Sequence, residues 1–418
     1  MLLRRSLNTW RKLRSALFAV SDQFIYSAGQ QLLSVMLARA LSPKDFGAAS
    51  AVLAIIAFQY ILHCAFVHEP LLITRRFADR STALICCGVV VSGTLLILCI
   101  SAAFDSSKQW SWAAVAIVTT SEVFWLFRTL ETSTRRFGTL CLYGLAVCVS
   151  YWLLLKLCSP KDWTFSLYLV SFAQCPFLIL VVLRFHTVLN ETVNGDDKGL
   201  KVKQSIEYGI QAAFSQLSSW IMTGGTIILL GYSADPMQGG LLKIYITLLL
   251  PMQYVLAALG YYMLPKLSLD WSLGKCTDTY RVVGLFVLFG LLAAEAFGLV
   301  IYFVGPRVVT VVFGKDYAFM DLSPFLYAPP VFALTMCLRT AFRATGQLTG
   351  MLTCSLIGAA AFTLCVILGG NRVSYLQAVI CMTVGFAVTA ATMVCWLAIS
   401  ARRSRLDVVS NGESASRW

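Results

Sequence analysis

Twelve runs of apolar residues, each close to the length of a bilayer-crossing helix, follow one another along this chain of 418 residues. They lie near 15–40, 46–73, 82–104, 110–130, 139–158, 163–184, 206–231, 239–264, 281–304, 323–344, 349–370 and 375–400. A spanning segment needs roughly 20 such residues, and in hydrocarbon every backbone N–H and C=O must find its partner within the helix. What remains between the runs is too short to bury a separate water-soluble core. With 58% hydrophobic and 13% charged residues the chain is excluded from the soluble globular class. The predicted fold is an all-α integral membrane protein of twelve transmembrane helices.

Basic residues set the orientation. The loops on one side, with both termini, carry 24 of the 33 Lys and Arg, against 8 in the opposite loops. Such a bias across short loops places both termini in the cytoplasm. The net charge of +13 is dispersed among loops and suits anionic lipid headgroups. Without an aromatic-rich basic face, it does not suggest a nucleic-acid partner. Asp22 and Gln23 interrupt the first apolar run, which continues to about Ala40, so it reads as an uncleaved span. The 14 cysteines lie mostly within spans, contain no CxxC and share no ligand spacing with His63, His68 or His186. They read as small buried hydrophobes, with no metal site and no cofactor.

The longest hydrophilic connection, residues 184–204, falls near the midpoint and divides the spans six and six. Phe127-Arg128-Thr129 matches Leu338-Arg339-Thr340, each at the end of the fourth span of its half. The segment 41–47, LSPKDFG, matches 232–238, YSADPMQ, each joining the first two spans of its half. The agreement predicts a duplication of parallel copies: a bundle over 1–184, a cytoplasmic linker over 185–205, a second bundle over 206–400 and a tail over 401–418. The first span of each half carries a polar stripe, Asp22, Tyr26 and Gln30 in one copy, and Glu207, Gln211, Ser215, Ser218, Met222 and Thr226 in the other. Polar groups are expensive against lipid, so the stripes point to a wet central cavity between two six-helix bundles.

Several of these segments resemble bacterial polysaccharide exporters: LLSVMLARALSPKDFGAASAV at 32–52, VVFGKDYAFMDLSPFLYAPP at 311–330 and LRTAFRATGQ at 338–347. The chain is similar to Wzx-type flippases of the multidrug/oligosaccharidyl-lipid/polysaccharide exporter superfamily. The resemblance implies a non-enzymatic, multi-pass protein of the bacterial inner membrane. Its substrate would be a polyprenyl-diphosphate-linked oligosaccharide, and it would work beside a polysaccharide polymerase and chain-length machinery. Twelve spans, against fourteen in lipid II flippases, argue against that branch.

Moving a lipid-linked sugar needs hydrogen-bonding groups for the sugar and cations for the diphosphate. The candidate cavity residues are Asp22, Gln23, Tyr26, Gln30, Glu207, Gln211, Ser215 and Ser218; the bland reading of each is glue between helices. The diphosphate candidates are Arg39, Arg128, Lys243, Arg339 and Arg343, because guanidinium forks match phosphate oxygens. Snorkelling to headgroups is the competing use of such residues. Asp22, Glu122 and Glu295 are candidates for proton or sodium coupling, as acids inside spans, with His63 and His68 as partners in a relay. There is no Walker A sequence, since Gly314-Lys315 lacks the upstream glycine, so ATP is not the direct energy source. Two alternatives stay open: a cation-coupled multidrug antiporter of the same fold, and a membrane-embedded polysaccharide polymerase.

Overall fold

The computed structural model describes residues 24–25, 27–68, 109–133, 137–193, 202–231, 235–369 and 373–415, with isolated positions between 88 and 99. Every regular element among them is helical. We number the helices α1 (27–40), α2 (Pro43–His63, continued by a π-turn Cys64–His68), α3 (Gln109–Ser133), α4 (Phe137–Cys158) and α5 (Trp163–Val193). There follow α6 (Val202–Trp220, continued by a π-turn Ile221–Gly225), α7 (Thr226–Gly231), α8 (Met237–Ser272), α9 (Cys276–Val312), α10 (Ala328–Ala344), α11 (Leu348–Leu368) and α12 (Tyr375–Ala415). Eight helical stretches among the described residues are long and apolar enough to cross a membrane. Helices α3 and α10 cover the residues of the expected fourth and tenth spans but are not among those eight.

Cap chemistry decides where two of these helices begin. Ser42 is extended, its Oγ accepts the Asp45 N–H at 3.2 Å and donates to the Asp45 carboxylate at 2.6 Å, and Pro43 follows in the first turn. That is a side-chain N-cap, with a proline where no N–H is needed. Ahead of α8, Asp235 accepts the Met237 N–H at 3.3 Å and the Gln238 side-chain amide at 2.9 Å, with Pro236 between. Ser42-Pro43 thus corresponds to Asp235-Pro236, a register two residues away from the one that letter matching suggests. The two helix starts also touch reciprocally. A Cβ on Gly47 would lie 1.8 Å from the Pro236 carbonyl oxygen, and one on Gly240 would lie 3.3 Å from the Pro43 carbonyl oxygen. Exchange of equivalent contacts is what a two-fold relation between copies produces.

Packing divides the chain into two units. The first holds the described residues up to Leu217, with Ile227–Lys243 and Val312–Asp316; the second holds Ser218–Thr226, Ile244–Val311 and the residues from Tyr317 onward. In the first, α3 packs along α5, while α2 lies against both. Phe124, Phe127, Tyr143 and Phe177 lock α3, α4 and α5 with ring centroids 4.9–6.0 Å apart. Two thirds of the apolar window of α2 is buried, so α2 runs through the interior of its unit.

In the second unit α11 and α12 form the closest pair and α10 packs on α12. Gly358 permits that approach, since a Cβ there would meet the Thr389 hydroxyl at 1.8 Å. Leu338, Phe342, Met351, Cys354, Met393 and Leu397 fill the space between these three helices. By contrast only 22% of the apolar window of α9 is buried. Pro329-Pro330, which the sequence places inside the tenth span, stands in the first turn of α10 after a 3-10 turn over Ser323–Leu326. The pair starts that helix rather than bending it.

Candidate functional site

Two polar constellations sit inside these apolar bundles. The first begins with spacing. Gln59 and His63 lie one turn apart on α2, and Glu122 and Thr129 lie two turns apart on one face of α3. The Glu122 carboxylate accepts the Gln59 side-chain N–H at 3.0 Å on one oxygen and the His63 Nδ1–H at 2.7 Å on the other. Gln59 also donates to the Val118 carbonyl at 3.2 Å. His63 Nε2 meets the Thr129 hydroxyl at 2.9 Å, and His68 Nδ1 meets the same hydroxyl at 3.1 Å.

Five residues along an α-helix differ by roughly 140°, which would point His63 and His68 to different sides. The π-turn Cys64–His68 widens the helix, with i→i+5 bonds that bring residues five apart into line. His63 is 1% exposed and Thr129 3%, whereas the Glu122 side chain is 14% exposed and His68 is partly exposed. Trp125 covers the middle of the chain, 6.2 Å from the His63 ring and 4.9 Å from Tyr60. Around α3 a separate buried set runs from Ser121 to Gln174 at 3.2 Å and on to Tyr151 at 2.5 Å. It ties α3, α5 and α4 together.

The second constellation belongs to α10. Arg339 is flanked by buried Leu338 and Cys337, and its guanidinium donates to the Ser219 hydroxyl at the end of α6. The Arg339 Nε is buried and has no hydrogen-bond partner among the described residues. Among the described residues no carboxylate lies within ion-pairing distance of Arg339. Arg343, one turn on, is exposed and adds a second positive charge nearby. A cation inside an apolar bundle is costly unless an anion meets it.

The remaining candidates are placed as follows. Asp22, Gln23 and Tyr26 lie outside the described residues. Gln30 is partly buried on α1. Glu207 and Gln211 are exposed on α6, while Ser215 and Ser218 are buried, and the Ser215 proton is already given to the Ala212 carbonyl at 2.8 Å. The stripe of α6 thus turns inward from Ser215 onward, because Met222 and Thr226 are buried as well. Arg39 is exposed near the end of α1, and Lys243 is partly buried on α8. Arg128 is partly buried beside His68. Glu295 requires a correction: it is exposed on α9, on a face it shares with exposed Leu288, Leu292, Leu299 and Phe303, and is no buried acid. One full turn of helix per 3.6 residues puts it on that exposed face, which span depth alone does not reveal. Sequence reasoning missed Gln59, Thr129 and Ser219. A polar residue one turn from His63 was the available sign for Gln59; Ser219 carried none beyond its neighbour Ser218.

No protein-family model matches this sequence, and no curated protein matches it. By structure the chain is similar to the inward-facing form of a multidrug resistance MATE family transporter of the MOP superfamily. The TM-score is 0.64 at 10% identity, over 93% of this chain and 99% of that one. It is similar to the lipid II flippase MurJ in an inward closed conformation, with TM-score 0.63 at 10% identity, over 91% of this chain and 87% of that one. A third likeness is to a MOP superfamily transporter from Pyrococcus furiosus described as having a binding pocket of reverse polarity. Here the TM-score is 0.57 at 11% identity, over 94% and 96% of the two chains. The fold is shared with transporters and flippases, as an all-α membrane architecture.

Proposed function

We propose that this chain is a flippase carrying a polyprenyl-diphosphate-linked oligosaccharide repeat unit from the cytoplasmic to the periplasmic leaflet of the bacterial inner membrane. Both termini face the cytoplasm in this reading, the two halves are parallel copies, and alternating access is coupled to an ion gradient. One observation carries the substrate class: Arg339 holds a guanidinium inside an apolar bundle with a buried, unpartnered Nε and no described carboxylate opposite. Phosphate oxygens answer that geometry, because a guanidinium presents paired donors and keeps its charge in low dielectric. Arg343 is the second donor in reach of such a group. A polymerase and chain-length machinery are the partners expected downstream.

A second reading, a cation-coupled multidrug antiporter, draws on the Glu122 carboxylate beside the Tyr60–Trp125 ring pair, which would suit a lipophilic cation. One experiment separates the two. The purified full chain is heated with farnesyl diphosphate or with ethidium as probes. Stabilisation by the diphosphate that disappears in Arg339→Ala and weakens in Arg339→Lys supports the flippase. Stabilisation by ethidium alone, indifferent to Arg339→Ala, supports the antiporter and removes the phosphate assignment.

A further inference from the structure

The polar chain of the first unit has a direction, and the direction follows from hydrogen counting. Glu122 accepts from His63 Nδ1, so in the neutral ring that nitrogen carries the proton and Nε2 is bare. The Thr129 hydroxyl, 2.9 Å away, must then donate to Nε2. A hydroxyl that has given its proton still accepts, and His68 Nδ1–H at 3.1 Å fills that role. Every bond therefore points the same way, from His68 through Thr129 and His63 to Glu122. The tautomers are assigned by this network.

We propose that His68, Thr129, His63 and Glu122 form a proton wire set to deliver toward Glu122, and that the coupling ion is therefore the proton and not sodium. The inference rests on Glu122 as the coupling acid. A proton arriving at Nε2 of His68 releases the Nδ1 proton to the Thr129 oxygen. The Thr129 proton moves to His63 Nε2, and the His63 Nδ1 proton moves to Glu122. One proton enters, one ends on the carboxyl, both rings exchange tautomers, and no charge is left in the buried middle.

Three features support this use over a static bond set. Both ends are accessible to some degree while His63 and Thr129 are sealed. The π-turn is needed for His68 to reach Thr129 at all, so a return of Cys64–His68 to α geometry would break the wire at one bond. Both carboxylate oxygens of Glu122 face N–H donors, whereas a hard cation such as sodium requires oxygen ligands. The surrounding groups on packed elements are Tyr60 and Cys64 on α2, Arg128 beside His68 and Glu131 on α3, and the uncharged Gln174 and Cys175 on α5. Gly209 of α6 sits against Phe66 of the π-turn, with Glu207 exposed beyond it.

Only three histidines occur in the chain, which makes the test direct. The full chain, labelled with 15N-histidine and placed in lipid nanodiscs, is read by NMR, with His63→Gln and His68→Gln assigning the signals. The wire requires both neutral rings to carry the proton on Nδ1, as their 15N shifts report, while His186 serves as reference. Thr129→Val should release the His68 ring from that tautomer, and Thr129→Ser should restore it. Exchange of potassium for sodium at constant pH should leave both rings unmoved. An Nε2–H tautomer at either ring, a His68 tautomer unchanged in Thr129→Val, or ring signals displaced by sodium overturn the proposal. The readout needs no transported substrate, so a failed diphosphate assignment at Arg339 does not alter its outcome.

Discussion

Replacing Gly47 by alanine tests the reciprocal contact between the starts of α2 and α8. The new Cβ would lie 1.8 Å from the Pro236 carbonyl oxygen and 2.5 Å from its carbon. Because the obstacle is backbone, no rotamer relieves it, and the two helix starts must separate by roughly 1.5 Å to reach ordinary contact. Overpacking of this kind costs about 1–3 kcal/mol. Alanine in a helix interior gains about 1 kcal/mol over glycine from propensity alone. Gly284→Ala on α9 supplies the reference, since a Cβ there meets nothing within 4 Å. Propensity cancels between the two variants, so Gly47→Ala should be less stable than Gly284→Ala by about 1–3 kcal/mol. Gly240→Ala, whose nearest contacts are 3.0–3.3 Å, should fall between them. Once Gly47→Ala has pushed the helices apart, adding Gly240→Ala should cost less than it does alone. The assay is thermal unfolding of each full-length variant in one detergent, followed by retention of the monodisperse peak. A midpoint for Gly47→Ala equal to or above that of Gly284→Ala would refute the packing argument.

Two further outcomes follow from the hydrogen bonds. Glu122→Ala strips the acceptor from His63 Nδ1 and Gln59 Nε2, and should destabilise by about 2–6 kcal/mol in the same unfolding assay, at about 1–3 for each unmet donor. Glu122→Gln keeps one acceptor and should cost about 1–2 kcal/mol, so equal losses for both would count against the carboxylate as hub. Tyr375→Phe removes a hydroxyl that accepts the Asp321 N–H at 2.7 Å and donates to the Asp321 carbonyl at 3.0 Å. Leaving both backbone groups unmet should cost about 1–3 kcal/mol and speed hydrogen exchange at the Asp321 amide; unchanged exchange would show that another group holds the segment.

Helix placement was largely legible in the primary structure because its cause is local. Ten of the twelve apolar runs coincide with described helices, and Ser42-Pro43-Lys44-Asp45 announces its helix through cap chemistry that needs no distant partner. The repeat rests on letter matching, and the helix caps suit a different register for it. Letter matching paired Ser42 with Ser233, while the caps pair it with Asp235, because either side chain supplies an accepting oxygen to the first turn.

The site was legible only in part. Glu122 and His63 stand out as ionisable groups in apolar spans, yet their meeting across 59 residues of chain is tertiary. Thr129 looks like any helical threonine until His63 and His68 both reach it. Glu295 shows the opposite case: by depth it resembles Glu122, but a helix has an inside and an outside, and only packing says which face is which. Ser215 and Gln211 share one stripe and differ in burial for the same reason.

The sequence alone determined that this chain must be helical and membrane-embedded, because hydrocarbon leaves the backbone no other partner than itself. Which polar side chains became neighbours was decided by the tertiary structure. A single widened turn at Cys64–His68 rotates one imidazole onto a hydroxyl, and the close packing of α10 leaves Arg339 with a buried nitrogen that no described group satisfies.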